Sequence, residues 1–476
     1  MSRELADRLA ATVGARWVRR RPAELRTYEA DGLPTHAARP RLVVLPGTRA
    51  ELIAVVRALH DAAVPWVARG AGTGLSGGAL ANDSVLVVLT RLNRILSLDP
   101  KRRRAVVEPG VINARLSEAA LPWGLYYAPD PSSQSACTLG GNVAENAGGP
   151  HCLKYGVTTN HVLALEILRP DGSLTRLGSP QGEPWGPDLV GLFVGSEGMF
   201  GIALSITLRL MPLPPAIRTL LADFATVRAA SEAVSAIIAR GIVPAALEMM
   251  DQACIRAVEA SIFAAGYPTD AGAILLVELD GQEVAVAAES AEVECLLRAN
   301  GARGVRAASS PAERARLWQG RKKAFGAAGR IAPDLVVQDA VVPRSALPQI
   351  LERITSIGKR YELSISNVFH AGDGNLHPNI SYDSRDPGLR ERVKLASREI
   401  MVACVAAGGS ITGEHGVGAD KLDYMALSFD AESLAAMCAV RRVFDPEQRA
   451  NPGKVVPIHY CREYGTSGTG VRSDRP

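Results

Sequence analysis

His370 and His377 bracket the string Ala-Gly-Asp-Gly-Asn-Leu, and a Glu414-His415 pair follows further along the chain. Two imidazoles and a carboxylate form a His-His-Glu set that can grip one divalent cation and leave a position open for water or substrate. A histidine pair alone is usually structural, so the reading rests on the combination with Glu414. His415 is a candidate of another kind. An unperturbed imidazole titrates near pH ~6.5 and can accept a proton at neutral pH, which suits a general base.

Such groups need a rigid frame. Residues 366–369 and 379–382 read as strands, and Asp373-Gly374 is a two-residue hairpin signal. That turn pairs Gly372 with Asn375, Ala371 with Leu376 and His370 with His377, which opposes the two imidazoles with Cβ atoms roughly 5 Å apart. Gly413 and Gly416 flank the second pair and permit a tight turn, so that Glu414 and His415 can both reach inward.

Three glycine-rich loops precede these residues. Arg69 to Gly78 contains a literal GxGxxG at Gly72, Gly74 and Gly77. A dinucleotide-binding Rossmann unit needs a helix opening at the third glycine. Only Ala79 to Ser84 separate this loop from the next strand, so the Rossmann reading fails. A nest of backbone N–H groups for a pyrophosphate remains, with a plain glycine-rich hairpin equally open for this loop alone. The second loop runs from Ala128 to Gly156, and Thr138 can cap a short helix whose first turn holds Gly140 and Gly141. The third, Gly195 to Gly201, leads directly into a strand. Three such loops suit the close approach of backbone to a large planar ligand.

Around them, residues 42–45 read as strand, 49–62 as helix capped by Thr48, and 66–68, 85–89, 105–107 and 202–210 as strands. Met211 to Pro215 reads as a boundary. Beyond it, 228–240 and 283–299 read as helices around a strand at 274–279, so the fold class is α+β. At 476 residues two or three domains are expected. Hydrophobic residues make up 47% and charged ones 21%, ordinary for a globular chain. The net charge is +4, with clusters at Arg19 to Arg21 and Lys101 to Arg104. No aromatics interleave with them, which argues for solvated surface and against a nucleic-acid partner. Seven cysteines lie without a CxxC pair, so no disulfide framework or cysteine metal site is indicated and a reducing compartment is expected. The start lacks a signal-peptide core and no apolar run suggests a membrane span.

The strings Arg-Gly-Ala-Gly-Thr-Gly (69–74), Leu-Gly-Gly-Asn-Val-Ala-Glu-Asn-Ala-Gly-Gly (139–149), Gly-Ser-Glu-Gly (195–198), His-Ala-Gly-Asp-Gly-Asn-Leu-His (370–377), Gly-Glu-His-Gly-Val-Gly (413–418) and Asn-Pro-Gly-Lys (451–454) occur in this order. With them the sequence resembles the FAD-linked D-2-hydroxy-acid dehydrogenases of the vanillyl-alcohol-oxidase superfold, from about Arg41 to Val456. Within that family it is most similar to the branch of the FAD-binding D subunit of bacterial glycolate oxidase.

The resemblance implies an N-terminal helical segment (1–40) and a two-part FAD-binding domain of vanillyl-alcohol-oxidase (PCMH) type (41–215). It further implies an α+β cap with an antiparallel sheet (216–445) and a segment returning to the flavin (446–457). Residues 458–476 are polar and read as a disordered tail. FAD is expected to bind non-covalently, since the first loop has no histidine. Its pyrophosphate would meet Arg69, Gly70, Ala71, Gly72, Thr73, Gly74 and Gly77. Asp130, Ser135, Thr138, Gly140, Gly141, Asn142, Ala144, Asn146, Gly148, Tyr155 and Gly156 would flank the flavin. Glu197, Gly198, Ile202 and Asn451 complete the expected cofactor set.

In the same family His370, His377 and Glu414 would hold a divalent metal, zinc for preference, with Asn379 beside the substrate. Arg321 is the choice for the substrate carboxylate, because guanidinium pairs bidentately with it. Lys421 is a second candidate cation, its alternative being a solvated lysine. Lys322, Lys323 and Arg330 read as ordinary charges of a surface helix. The D-2-hydroxyglutarate branch carries a threonine and a further lysine where this chain has Phe325 and Val336-Val337, which favours a small monocarboxylate. The implied activity is oxidation of glycolate or D-lactate to the 2-oxo acid, with His415 as base and hydride passing to FAD. No iron–sulfur spacing occurs in this chain, so electrons need an external acceptor. The resemblance implies an iron–sulfur subunit, a second flavoprotein-like subunit, and a cytoplasmic enzyme peripheral to the inner face of the membrane. The alternatives are a D-2-hydroxyglutarate dehydrogenase, a flavin-dependent alkyl transferase on a glycerone phosphate, a metal hydrolase, and a non-catalytic FAD-binding subunit. The retained His-Glu-His set argues against the last.

Overall fold

The computed structural model describes residues 2–33, 35–181 and 186–457; the expected tail at 458–476 lies outside them. Three main sheets organise the α+β chain. The first has four strands in the order Val18–Arg19, Leu42–Val44, Val85–Val88, Trp66–Arg69, the last three mutually parallel. Thr48 caps the crossover helix Arg49–Asp61 by accepting the Glu51 N–H at 3.1 Å. Trp66–Arg69 and Val85–Val88 are joined by loop alone. Because those strands are parallel, the plain hairpin alternative for the first glycine loop falls.

The second sheet is antiparallel, ordered Ile95–Asp99, Arg104–Val107, Ile202–Arg209, Val162–Leu168, Leu174–Gly178. At Met211–Pro212 the chain pairs briefly with Leu125–Tyr126, then enters the strand Ala216–Phe224 of a nine-stranded antiparallel sheet. In that sheet side chains alternate between faces, as strand geometry demands. Leu275, Val277 and Leu279 join the largest core cluster with the helices Val227–Ala239, Glu283–Ala299, Leu347–Tyr361 and Pro387–Ala406. Ile274 and Leu276 turn to the opposite cluster, with Trp318 of Pro311–Lys322. Glu248, His370 and Glu278 share the parity of this second face.

The two halves of the chain are tied by charged contacts. His151 lies between Asp130 (3.0 Å) and Glu278 (3.2 Å), Lys322 reaches Asp130 at 2.9 Å, and Tyr155 donates to Asp280 at 2.6 Å. Burial pulls the His151 imidazole down, but Asp130 and then Glu278 outweigh it and lift its pKa to about 10. An unfolded histidine titrates near ~6.5, so this contribution to stability is complete below that pH and lost as pH rises towards 10. His151→Gln should therefore lower the melting temperature at pH 6 by several degrees, with the deficit shrinking by pH 10. An equal deficit at both pH values would place the effect in packing instead.

The C-terminal segment returns to the first sheet. Asn451 N donates to the Trp66 carbonyl at 2.8 Å and Trp66 N to that of Arg449 at 2.9 Å. Lys454 Nζ donates to the Leu80 carbonyl at 2.8 Å. Cys137, Cys152, Cys254, Cys295 and Cys404 are free thiols.

Candidate active site

The three glycine loops and the Glu414-His415 turn enclose one cavity of about 520 Å³. Arg69 to Gly74 form one wall. Thr138, Gly140, Gly141, Asn142, Ala144 and Gly148 form a second, and Glu197, Gly198 and Ile202 a third. Thr138 caps the helix Leu139–Glu145 by accepting the Gly141 N–H at 3.4 Å. Among the cavity residues, Asn142 Nδ2 and Ser196 Oγ are donors buried without a partner, and Glu145 Oε2 is likewise unpartnered. Unpaired buried donors beside exposed glycine backbone fit a ligand rich in acceptors, as a flavin and a pyrophosphate are.

Other expected cofactor residues stand behind the wall or away from it. Asn451 Nδ2 donates to the Gly78 and Glu197 carbonyls, so it joins two cavity loops from outside. Gly77 supports a turn at φ +71°. Asn146 ends the second-loop helix at φ +53°, its side chain accepting from Thr159 N. Gly156, at φ +80°, packs on Asn160. Asp130 and Tyr155 are used in the interhalf contacts given above, and neither lines the cavity. Ser135 is exposed, and Ser132 and Ser133 line the cavity in its place. The expectation is corrected by the turn at residues 132–136, where Ala136 N and Cys137 N both bond back to the Ser133 carbonyl.

The histidine hairpin is built with a different register from the expected one. His370 pairs with Asn375 and Asn367 with Pro378, so the strands slip by two residues and four residues form the turn. Asp373 Oδ1 accepts the Asn375 N–H at 3.0 Å, and Gly374 adopts φ +82° with no room for a Cβ against the Val342 carbonyl. A slip of two preserves the face, whereas a slip of one would not. His370 and His377 therefore still meet, with ring centroids 5.2 Å apart and planes at 88°.

Glu414 Oε1 lies 3.3 Å from His370 Nε2 and 3.2 Å from His377 Nε2. Each imidazole's other nitrogen is engaged: His370 Nδ1 with Glu248 at 2.7 Å, His377 Nδ1 with the Gln338 carbonyl at 3.2 Å. Those partners are acceptors, so in the neutral rings each Nδ1 carries the proton and each Nε2 can offer a lone pair to a cation. Two lone pairs and a carboxylate oxygen thus converge, a set that a divalent cation satisfies at once. A second triplet, Asp339, His377 and His415, is equally compact. Asp339 already accepts from Thr412 Oγ1 (2.6 Å), the N–H groups of Gly413 (3.0 Å), Glu414 (3.2 Å) and His415 (2.9 Å), and Lys421 Nζ (3.1 Å). Its charge is answered by Lys421, and its donors hold the 412–416 turn, so His370, His377 and Glu414 are the metal candidates.

His415 lines the cavity, stacked on His377 with centroids 4.9 Å apart. Its Nδ1 is buried without a partner. Burial pushes its pKa down to about 4, against a smaller upward pull from Asp339, so the ring is unprotonated at neutral pH. Gly416, at φ +85°, closes this turn where a Cβ would meet the carboxylates of Glu145 and Glu197 at 2.3 and 2.7 Å.

Three expected substrate residues are placed differently. Arg321 is 1% exposed, paired with Glu248, and does not line the cavity. Lys322 lines it instead, beside Phe325, Leu335 and Val337. The helix Pro311–Lys322 turns successive residues by about 100°, so only one of the two neighbours can face the cavity. Lys421 is buried on Asp339 and reaches neither solvent nor cavity. Asn379 is buried behind His377, donating to its carbonyl at 3.0 Å, with Oδ1 unpartnered. The residues that sequence reasoning missed are Glu248, Asp339 and Lys322. A signal existed for the first two, since each is a lone acid within an apolar run, Ala246-Leu-Glu-Met-Met and Val336-Val-Gln-Asp-Ala-Val.

Residues 40–178 match the FAD binding domain model, and residues 213–455 the FAD linked oxidases, C-terminal domain model. The chain is 50% identical over 444 residues to the glycolate oxidase subunit GlcD of Escherichia coli (strain K12), covering 93% of this chain and 89% of that protein. It is 33% identical to the D-lactate dehydrogenase of Anaerostipes hadrus, covering 88% and 90%. Among solved structures, p-cresol methylhydroxylase with substrate bound superposes with a TM-score of 0.81 at 17% identity, covering 96% of this chain and 97% of that one. At such identity the likeness speaks for the fold, the two-part FAD-binding and cap architecture of vanillyl-alcohol-oxidase type. No described helix is long and apolar enough to cross a membrane.

Proposed function

The chain belongs to the FAD-linked oxidases, and on that footing we propose that it oxidises a small D-2-hydroxy acid, glycolate or D-lactate, to the 2-oxo acid. The observation that carries this reading is the shared cavity, in which His415 and Glu414 stand opposite three glycine loops and two unpartnered donors. Residues 41–215 hold the cofactor in this reading, and 216–445 form the substrate cap. FAD, bound non-covalently, supplies the acceptor for the hydride that leaves C2. A divalent ion on His370, His377 and Glu414, zinc for preference, supplies Lewis acidity towards the substrate oxygens.

The chain's own groups account for the remaining requirements. His415, neutral at pH 7, takes the hydroxyl proton on its unengaged ring nitrogen. Asp339 fixes the turn that presents it, through the backbone N–H groups of three consecutive residues. Lys322 faces the cavity and receives the substrate carboxylate, its hold on Asp130 yielding to or bridging with the ligand. Phe325, Leu335 and Val337 line the same region and keep water away. Among the described cavity residues the cations are Arg69, which donates to the Ala30 carbonyl, and Lys322. With Lys322 committed to one carboxylate, a dicarboxylate such as D-2-hydroxyglutarate has no second partner. Electrons then pass to partner subunits, an iron–sulfur protein among them, with the enzyme cytoplasmic and peripheral at the inner membrane face.

An anaerobic visible spectrum tests the reading. The purified protein should be yellow, and glycolate or D-lactate should bleach it while D-2-hydroxyglutarate leaves it unchanged. A yellow protein that neither acid bleaches sinks the substrate assignment and favours the alkyl-transfer alternative. Dialysis against a chelator should abolish bleaching without removing colour, and an added divalent ion should restore it.

A further inference from the structure

We propose that Glu145 and Glu197 share one proton in the wall of the FAD cavity, and that Glu145 is the neutral member, donating its O–H to the bound cofactor. This rests on the reading of the cavity as the FAD site.

The backbone brings the two side chains together. Glu145 ends the helix Leu139–Glu145, and Glu197 N donates to the Ala144 carbonyl at 2.8 Å. Both residues line the cavity. Two glycines leave room for their carboxyls. A Cβ on Gly416 would lie 2.3 Å from Glu145 Oε2 and 2.7 Å from Glu197 Oε1. One on Gly78 would lie 2.8 Å from Glu145 Oε1 and 3.4 Å from Glu197 Oε2. The carboxyls thus meet at the same two backbone positions, in unequal surroundings. Glu197 Oε1 accepts the Val417 N–H and Oε2 the Gly418 N–H, each at 2.7 Å, which favours its charged form. Glu145 Oε2 is buried with no partner.

The nearby charges point the same way. Lys421 acts on both acids but is salt-bridged to Asp339 at 3.1 Å. Lys454 acts on Glu197 and Asp31, and Arg69 on Asp31. Glu145 is left without a cation of its own, with the Ser76 hydroxyl as a neutral neighbour. Two carboxylates this close do not both ionise. Burial, then the charges of Glu197 and Asp31, carry Glu145 well above the usual carboxylate range. Burial lifts Glu197 less far, to about 7, against its two backbone donors. The proton kept by the pair above that pH therefore lies on Glu145. Asn142 Nδ2 and Ser196 Oγ add further free donors, so the cofactor meets O–H and N–H groups along this wall.

The test follows FAD affinity by flavin fluorescence between pH 7 and 9.5. Ionising Glu145 removes a donor and sets a negative charge beside an anionic cofactor. Affinity should then weaken by up to about tenfold per pH unit, between the pKa of the pair in the free protein and in the loaded one. Glu145→Gln keeps a neutral donor of the same shape, so it should hold FAD within about threefold at pH 7 and lose that slope. Glu197→Gln cannot accept both N–H groups and should weaken FAD more than Glu145→Gln does. Glu145→Gln protein with an unchanged melting temperature overturns the proposal if it loses FAD by more than tenfold or keeps the original slope. A second readout needs no variant to fold. The infrared spectrum of the unmodified holoprotein at pH 7.5 should contain the C=O stretch of a protonated carboxyl, fading as pH rises. Absence of that band overturns the proposal, as does its survival in Glu145→Gln. Failure to take up FAD would instead remove the cavity reading, and the shared proton is then decided by the band alone.

Discussion

Replacing His415 by alanine leaves a yellow protein whose anaerobic flavin reduction by its hydroxy acid slows by about 10³-fold, within the range for loss of a general base. Colour survives because the glycine loops and the unpartnered Asn142 and Ser196 donors that face the cavity lie outside the His415 turn. Stopped-flow reduction under saturating substrate isolates the step, and added imidazole should recover part of the rate by entering the vacated space. The ring's low pKa also has a consequence for pH. The neutral form is available throughout the physiological range, so the rate should not fall as pH drops from 8 to 6 on account of this residue. A rate within tenfold of the unmodified enzyme would remove His415 from the base role.

The second large effect is expected at Asp339, which touches no cavity ligand. Its carboxylate gathers three successive N–H groups, a hydroxyl and Lys421, and Lys421 followed by His415 and His377 overcomes the burial that would otherwise raise it. Asp339 is therefore held below the usual carboxylate range, and its stabilisation is present at neutral pH and fades only in acid. Asp339→Asn leaves Lys421 buried without a counter-charge, which costs on the order of 3 kcal/mol. It also replaces an acceptor by a group half of which donates, so the 412–416 turn must shift. Turnover should drop at least 100-fold. Adding Lys421→Met to Asp339→Asn should recover stability, measured by denaturant unfolding, and leave turnover depressed. Recovery of both together would mean that Asp339 contributes only through the ion pair.

The contrast between these residues marks what a sequence discloses. Local features were readable: Thr48 and Thr138 cap the helices they precede, and the loop after Arg69 holds no helix. The histidine hairpin was readable in its face but not in its register, because the Asp373 side chain captures a backbone N–H and widens the turn. The strand order of the large sheet was not legible, since it places Ala246–Asp251 beside Ser364–His370 across more than a hundred residues. Nor were the buried acids' partners. Glu248 and Asp339 could be suspected as lone charges in apolar strands, but which cation each meets is decided by tertiary packing. The same holds for Arg321 and Lys322, neighbours whose roles exchange with one step of helix rotation.

The return of residues 449–454 to the first sheet bears on the order of manufacture. Trp66–Arg69 is an edge strand, and its outer side is covered by backbone synthesised almost four hundred residues later. A ribosome-bound chain therefore displays an open strand edge at Trp66, beside its first glycine loop, until residues 449–451 have been made. Asn451, which joins the Gly78 and Glu197 carbonyls, also arrives in that last stretch. The loops around the cavity are therefore joined only once this segment has returned. Until then, the seam that residues 449–451 close stays open to pairing with any other strand.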